Sequence, residues 1–230
     1  MIVELAYEFG IRPTALRTLI CRVLRKRPDE NNWSEYPNID YEVRRLIDET
    51  KWHRVYDCVE AIAQNVNDRQ GLEKELNSYL IEEGIGWKLV QGNFEVRNPN
   101  NLEQSIQVAE VALQESGGKT AQGELTEAIR DLSRRPDADI TGAIQHSMTA
   151  LECVAREVTG DKKGTLGELI KRNPDLIPAP LDQSIEKLCG FASEYGRHIR
   201  EGRNPEFKEA QLVVGVCSAA ITYLLSKKDV

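Results

Sequence analysis

Apolar residues recur at helical spacing along most of the chain, and the breaks between stripes fall at glycine, proline and asparagine. The first 27 residues read as two short helices broken near Gly10 and Pro13. The second, over residues 14–27, sets Leu16, Leu19, Ile20, Val23 and Leu24 on one face. Arg17, Arg22, Arg25 and Lys26 fall on the other, and no acid stands between Phe9 and Pro28. Residues 28–38, rich in Pro, Asn and Ser, read as a loop. Helices follow over residues 41–50, 52–66 and 70–83, the last carrying Leu72, Leu76, Leu80 and Ile81 and stopping at Gly84. Over residues 85–97 the period changes to two. Trp87 and Leu89, then Phe94 and Val96, alternate with polar neighbours around Gly92-Asn93, the expected tight turn of a small β-hairpin.

Asn98-Pro-Asn-Asn101 closes this first unit, and everything beyond it reads as helix. The segments are 102–116, ending at Gly117-Gly118; 120–134, stopping before Pro136; 140–158, capped by Gly160; 165–171; 181–200; and 206–226. The third has the clearest stripe: Ile140, Ala143, Ile144, Ser147, Met148, Leu151, Val154, Ala155 and Val158. Short connections between these helices suit antiparallel packing. The expected fold is mainly α: a small helical domain with one β-hairpin over residues 1–101, then an antiparallel helical bundle over 102–230. The apolar run 212–225 is shorter than the ~20 residues that span a bilayer and contains Ser218 and Thr222. It reads as the central helix of a soluble bundle, buried on several sides, with no membrane association.

Composition narrows the function classes. With 40% hydrophobic and 29% charged residues the chain is that of a folded protein, not a disordered one. A net charge of −7 argues against a generic polyanion binder. It leaves the basic face of residues 14–27 as either a solvated helix face or a track for a phosphate backbone. The five cysteines are an odd number without a C-x-x-C pair, the pattern of reduced thiols. Cys153, Cys189 and Cys217 fall on apolar helix faces, where burial is expected. Glu4 and Glu8 interrupt the first apolar residues, so no signal-peptide shape is present and the cytoplasm is the expected location.

Chemistry-bearing patterns are few. The three histidines, His53, His146 and His198, form no H-E-x-x-H, and there is no P-loop, G-x-G-x-x-G or G-x-S-x-G. No metal and no cofactor are therefore expected. His146 beside an apolar stripe reads as partly buried and hydrogen-bonded, and His53 as structural or exposed. The distinctive segment is Ser193-Glu-Tyr-Gly-Arg-His-Ile-Arg-Glu-Gly202. Glu194 and His198 are four apart, as are Arg197 and Glu201, so each pair can meet on one helix face. An imidazole held by a carboxylate beside a guanidinium is a set that can bind and cleave a phosphodiester. The same residues also read as a solvated helix end stopped by Gly202.

Three strings in the second half resemble the HEPN superfamily, in the branch found in AbiJ-type abortive-infection proteins of bacteria. They are Thr149-Ala-Leu-Glu-Cys-Val-Ala-Arg156, Thr165-Leu-Gly-Glu-Leu-Ile170 and the segment ending at Gly202. The string Glu83-Gly-Ile-Gly-Trp-Lys-Leu-Val-Gln-Gly92 resembles the small domain that precedes HEPN in those proteins. The resemblance implies a HEPN-like antiparallel bundle, a homodimer and a role in anti-phage defence. It also implies a metal-independent endoribonuclease in which the RNA 2′-OH attacks its own phosphate, with His as acid/base and Arg on the phosphate. Carried onto this sequence, the catalytic residues are Arg197, His198 and Arg200, with Glu194, Tyr195 and Glu201 as substrate contacts. RNA is the implied substrate, and an antitoxin or other defence partner fits the same picture. In active members the Arg and His are separated by about four to six residues, whereas Arg197 and His198 are adjacent. Two readings therefore stand: a variant motif at a helix end, or a catalytically inactive HEPN-like module kept for dimerisation or ligand binding.

Overall fold

The computed structural model describes residues 1–196 and 204–227, with side chains in the last turn before the gap given only as far as Glu194. Among the described residues the chain is mainly helical, with one antiparallel hairpin, and it divides into two compact units, Met1–Arg97 and Asn98–Val230.

The first unit opens with α1 (Ile2–Glu8) and α2 (Pro13–Leu24). Pro13 starts α2 where its missing N–H costs nothing, and Leu16, Leu19, Ile20 and Cys21 are buried. Arg25 ends the helix in the left-handed conformation, φ 55°. A wide turn over Glu35–Ile39 leads into α3 (Asp40–Asp48), followed by α4 (Trp52–Ala63) and α5 (Arg69–Glu82). The hairpin β1 (Trp87–Val90) and β2 (Asn93–Val96) then packs on the helices. Its register pairs Leu89 with Phe94 and Val90 with Asn93. The turn residues are therefore Gln91 and Gly92, at φ 50° and 81°, and not the expected Gly92-Asn93. Two positive φ values are what a tight hairpin turn needs, and Gln91 accepts one of them without being glycine.

A two-stranded hairpin leaves edge amides unpaired, and helix side chains satisfy them here. The Asn77 amide bonds Leu89 from both sides, accepting from its N–H at 2.7 Å and donating to its carbonyl at 2.8 Å. Glu73 accepts the Gly92 N–H at 2.6 Å and Glu60 the Phe94 N–H at 2.7 Å. Tyr56 stacks edgewise on Phe94, with centroids 4.6 Å apart.

Arg17 departs from the helical-wheel expectation. It leaves the solvent face of α2 to bond Glu42 of α3 at 3.2 Å. Glu42, 2% exposed, also accepts the Asp29 N–H at 2.7 Å and the Asn32 Nδ2 at 3.0 Å. Arg17 Nη1 donates in addition to the Asn32 carbonyl at 2.8 Å. A buried carboxylate is tolerable only with such a full set of donors.

The second unit comprises α6 (Asn100–Ser116), α7 (Lys119–Leu132), α8 (Ile140–Thr159), α9 (Leu166–Arg172), α10 (Leu181–Gly196) and α11 (Phe207–Ser226). Helix α8 is the hub, with α7, α9, α10 and α11 packed around it. Its stripe buries Ala143, Ile144, Ser147, Leu151, Val154 and Ala155 as expected. Gly117 and Gly160 end their helices at φ 75° and 73°, the left-handed stop that favours glycine.

Helix α11 is long and apolar enough to cross a membrane by length and composition alone. In this fold it packs on α6, α7 and α8, burying Val213, Val214, Cys217, Ile221, Leu224 and Leu225. It is not covered all round, because Leu212 is 65% exposed. Gly215 lets α6 approach closely: a Cβ there would lie 2.9 Å from Leu102 Cδ1.

Candidate functional site

A set of titratable side chains that goes beyond a simple ion pair lies between α7 and α8. Helix α8 starts at Asp139, whose carboxylate accepts the Gly142 N–H at 2.8 Å. A Cβ on Gly142 would fall 2.4 Å from Asp131 Oδ2, so this glycine lets Asp131 of α7 press against the α8 backbone. One turn further on, His146 Nδ1 lies 2.7 Å from Glu124 Oε2 and its Nε2 lies 3.7 Å from Asp131 Oδ2. Glu124, Glu127 and Asp131 share one face of α7, and the imidazole sits between the first and last of them. The bond to Glu124 raises the His146 pKa above the ordinary histidine value, against the opposing effect of burial. Burial, helped by the charge of Asp139, raises the carboxyl of Asp131.

This arrangement favours imidazolium, with Nδ1 hydrogen-bonded to Glu124 and Asp131 near Nε2. It ties two helices together. No group of three or more His, Cys, Asp or Glu side chains suited to a metal ion occurs among the described residues. His146 is thus partly exposed and hydrogen-bonded, in keeping with the sequence reading. Its partners were not foreseen. The acidic stripe of α7 was the available signal, but nothing in the sequence pairs it with α8.

Of the residues expected to form a phosphodiester site, Glu194 lies exposed on α10 and Tyr195 stands in its last turn. Arg197, His198, Arg200 and Glu201 lie outside the described residues. Within helix α10, Ile185 and Ala192 are buried, while Leu181 at its start is 60% exposed instead of joining the expected stripe.

Two of the strings behind the family resemblance, 149–156 and 165–170, meet at the other end of α8. Glu152 Oε2 accepts the Leu166 N–H at 3.0 Å, and Arg156 Nε donates to the Gly164 carbonyl at 2.9 Å. Glu152 and Arg156 are themselves paired at 2.5 Å. Thr165 and Glu168 close a capping box on α9. These residues therefore build a corner of the bundle.

The cysteines are packing groups. Cys217 is buried, 3.5 Å from Met148 Sδ, and burial pushes its thiol up to about 12. Cys189 is pushed up to about 11, so neither supplies thiolate at neutral pH. Cys153 and Cys189 are only partly buried, short of the burial expected from their helix faces.

A second surface feature is a groove between α6 and α11, lined by Leu102, Ser105, Leu212, Gly215, Val216 and Ala219. No curated protein and no solved structure matches the chain. The model of one family, described as AbiJ N-terminal domain 4, matches residues 3–112, past the end of the first unit and into α6.

Proposed function

We propose that this chain is an abortive-infection defence protein whose second unit is a HEPN-like bundle acting on RNA. The observation that carries the reading is the AbiJ N-terminal domain 4 match over residues 3–112, followed in the chain by a helical bundle. The corner built from Glu152, Arg156 and Thr165 supports it, because two of the three strings that resemble HEPN sequences are joined there.

In this reading Arg197, His198 and Arg200 act on the phosphodiester, with Glu194, Tyr195 and Glu201 contacting substrate. The 2′-oxygen attacks the adjacent phosphorus as His198 takes its proton, and the P–O5′ bond breaks with a proton returned to the 5′-oxygen. Products are a 2′,3′-cyclic phosphate and a 5′-hydroxyl, with no metal required. Two copies of the chain bring two such segments to one cleft.

The test is incubation of the purified chain with single-stranded RNA in EDTA, with and without His198→Ala. Cleavage to cyclic-phosphate ends that the substitution abolishes supports the reading. RNA equally stable with and without the protein refutes the nuclease.

The adjacency of Arg197 and His198 favours a second reading, an inactive HEPN-like module for dimerisation or ligand binding. Neighbouring residues of a helix point about 100° apart, so one copy presents the two side chains differently. This reading expects a dimer by light scattering that survives His198→Ala, and loss of the dimer on that change counts against it.

A further inference from the structure

We propose that the turn over residues 29–32 and its flanks form a binding surface for single-stranded nucleic acid, with Trp33 stacking an unpaired base and Arg25, Lys26 and Arg27 holding the neighbouring phosphates. Trp33 is 85% exposed, more than any other large hydrophobic side chain among the described residues. A lone exposed apolar residue needs no explanation. Trp33 differs because it adjoins a turn that is held rigid. The Asn32 N–H closes the turn on the Asp29 carbonyl at 3.1 Å, and the Asn31 N–H bonds the Asp29 carboxylate at 3.0 Å. Buried Glu42 then grips the turn at Asp29 and Asn32 while Arg17 grips the Asn32 carbonyl. The buried pair of Arg17 and Glu42 thus fixes this turn.

Turn closure brings residues 29 and 32 within ~7 Å, with Arg27 two residues before the turn and Trp33 one residue after it. Next to them the end of α2 reverses at Arg25, in the left-handed conformation where glycine is usual, and turns out Arg25, Lys26 and Arg27, all exposed. Elsewhere in this unit Arg44, Arg45, Arg54, Arg69 and Lys88 are paired with carboxylates, while Arg12, Lys51 and Lys74 stand singly without an ion pair among the described residues. Arg22, Arg25, Lys26 and Arg27 form no ion pair among the described residues. Of the nearby acids, Asp29 is occupied by Asn31 and Glu35 accepts from Thr14 at 3.1 Å, leaving Glu30 exposed. Unpaired cations beside a protruding indole match a strand that offers both phosphates and free base faces. A duplex offers no such face.

The surface lies wholly in the first unit, so it stands apart from any cleavage in the second. The test is fluorescence anisotropy of short labelled 2′-O-methyl oligouridylate and oligothymidylate, neither of which has a free 2′-hydroxyl to attack its phosphate, with the full chain over a range of salt. Both strands share the chemistry, and the tighter of the two identifies the sugar. Wild type binds, Trp33→Ala weakens binding about 10-fold at every salt concentration, and changing Arg25, Lys26 and Arg27 together to Gln flattens the log–log salt slope by about 2. An unchanged melting temperature for Trp33→Ala certifies the fold. No binding to either strand at low salt overturns the proposal. So does binding indifferent to both variants, or tighter binding to a duplex of the same length.

Discussion

His146 of α8 and Glu124 of α7 share a hydrogen bond of 2.7 Å although 22 residues separate them in sequence. Asp131 faces the opposite ring nitrogen. One proton thus joins two helices of the bundle, and the strength of that join depends on whether the imidazole carries it.

The pKa of His146 is raised on folding, so the folded chain holds the proton more tightly than the unfolded one. Its stabilising effect is complete below the ordinary histidine range near 6.5 and is lost as pH rises through the raised folded value. Solvent screens the pair, because the His146 side chain is 41% exposed. A contribution of about 0.5–1 kcal/mol, or roughly 2–4 °C, is expected. Thermal melts by circular dichroism should show Glu124→Gln lowering the melting temperature at pH 6 and leaving it nearly unchanged at pH 9. An equal loss at both pH values would assign the effect to packing.

Glu42 should be the most sensitive charged position of the first unit. Burial pushes its carboxyl up, but the bonds from Asp29, Asn32 and Arg17 outweigh that and leave its pKa lowered. Its stabilising effect is therefore present above the ordinary carboxylate range and is lost as pH falls through the folded value. Removing one member of a buried pair leaves the other unpaired, at about 3–5 kcal/mol. All three tryptophans, Trp33, Trp52 and Trp87, lie in this unit, so tryptophan fluorescence follows its unfolding selectively. Urea titrations read this way should place the Glu42→Ala midpoint well below wild type at pH 7. The gap should narrow as the buffer is acidified below pH 4.

Asn77 stands in for a missing strand by bonding both backbone groups of Leu89. Asn77→Ala leaves a donor and an acceptor without partners, at about 1–3 kcal/mol. The hairpin should loosen before the helices do. A red shift of tryptophan emission, from Trp87 at the base of β1, with little change in helical circular dichroism would show it. Unchanged emission together with an unchanged urea midpoint would contradict this role.

Periodic signals carried most of the elements. The stripes of α5 and α8 and the alternation around Leu89 and Phe94 follow from burying one face of a regular element, and that information is local. The misreadings lie where distant residues decide. Arg17 looks solvent-facing on a helical wheel, but its long side chain turns inward because Glu42 lies buried within reach. Leu212 looks buried by composition but is exposed, because α11 has neighbours on only part of its circumference. The Gly92-Asn93 pair suggested the turn, yet pairing Val90 with Asn93 moved it one residue back. The candidate site was half legible. The acidic stripe of α7 and His146 are each visible in sequence, but their meeting depends on how two helices pack. The segment from Ser193 to Gly202 stands out by its residues alone.

Gly164 lies in the corner where Glu152 and Arg156 hold the loop before α9. A Cβ at this position would fall 2.6 Å from Leu169 Cδ2 and 3.0 Å from both Leu169 Cγ and Asp161 Oδ2. Leu169 is fully buried and cannot swing away, so the loop must move instead. That movement pulls the Gly164 carbonyl from Arg156 and the Leu166 N–H from Glu152. Overpacking of this kind costs about 1–3 kcal/mol. Gly164→Ala should therefore lower the melting temperature of the second unit by several degrees while leaving the tryptophan-detected transition of the first unit in place. Pairing it with Leu169→Ala tests the cause, because the smaller side chain removes the clash. The double variant should then lose less than the sum of the single losses. Strict additivity would locate the effect of Gly164 elsewhere, in the backbone freedom of the loop.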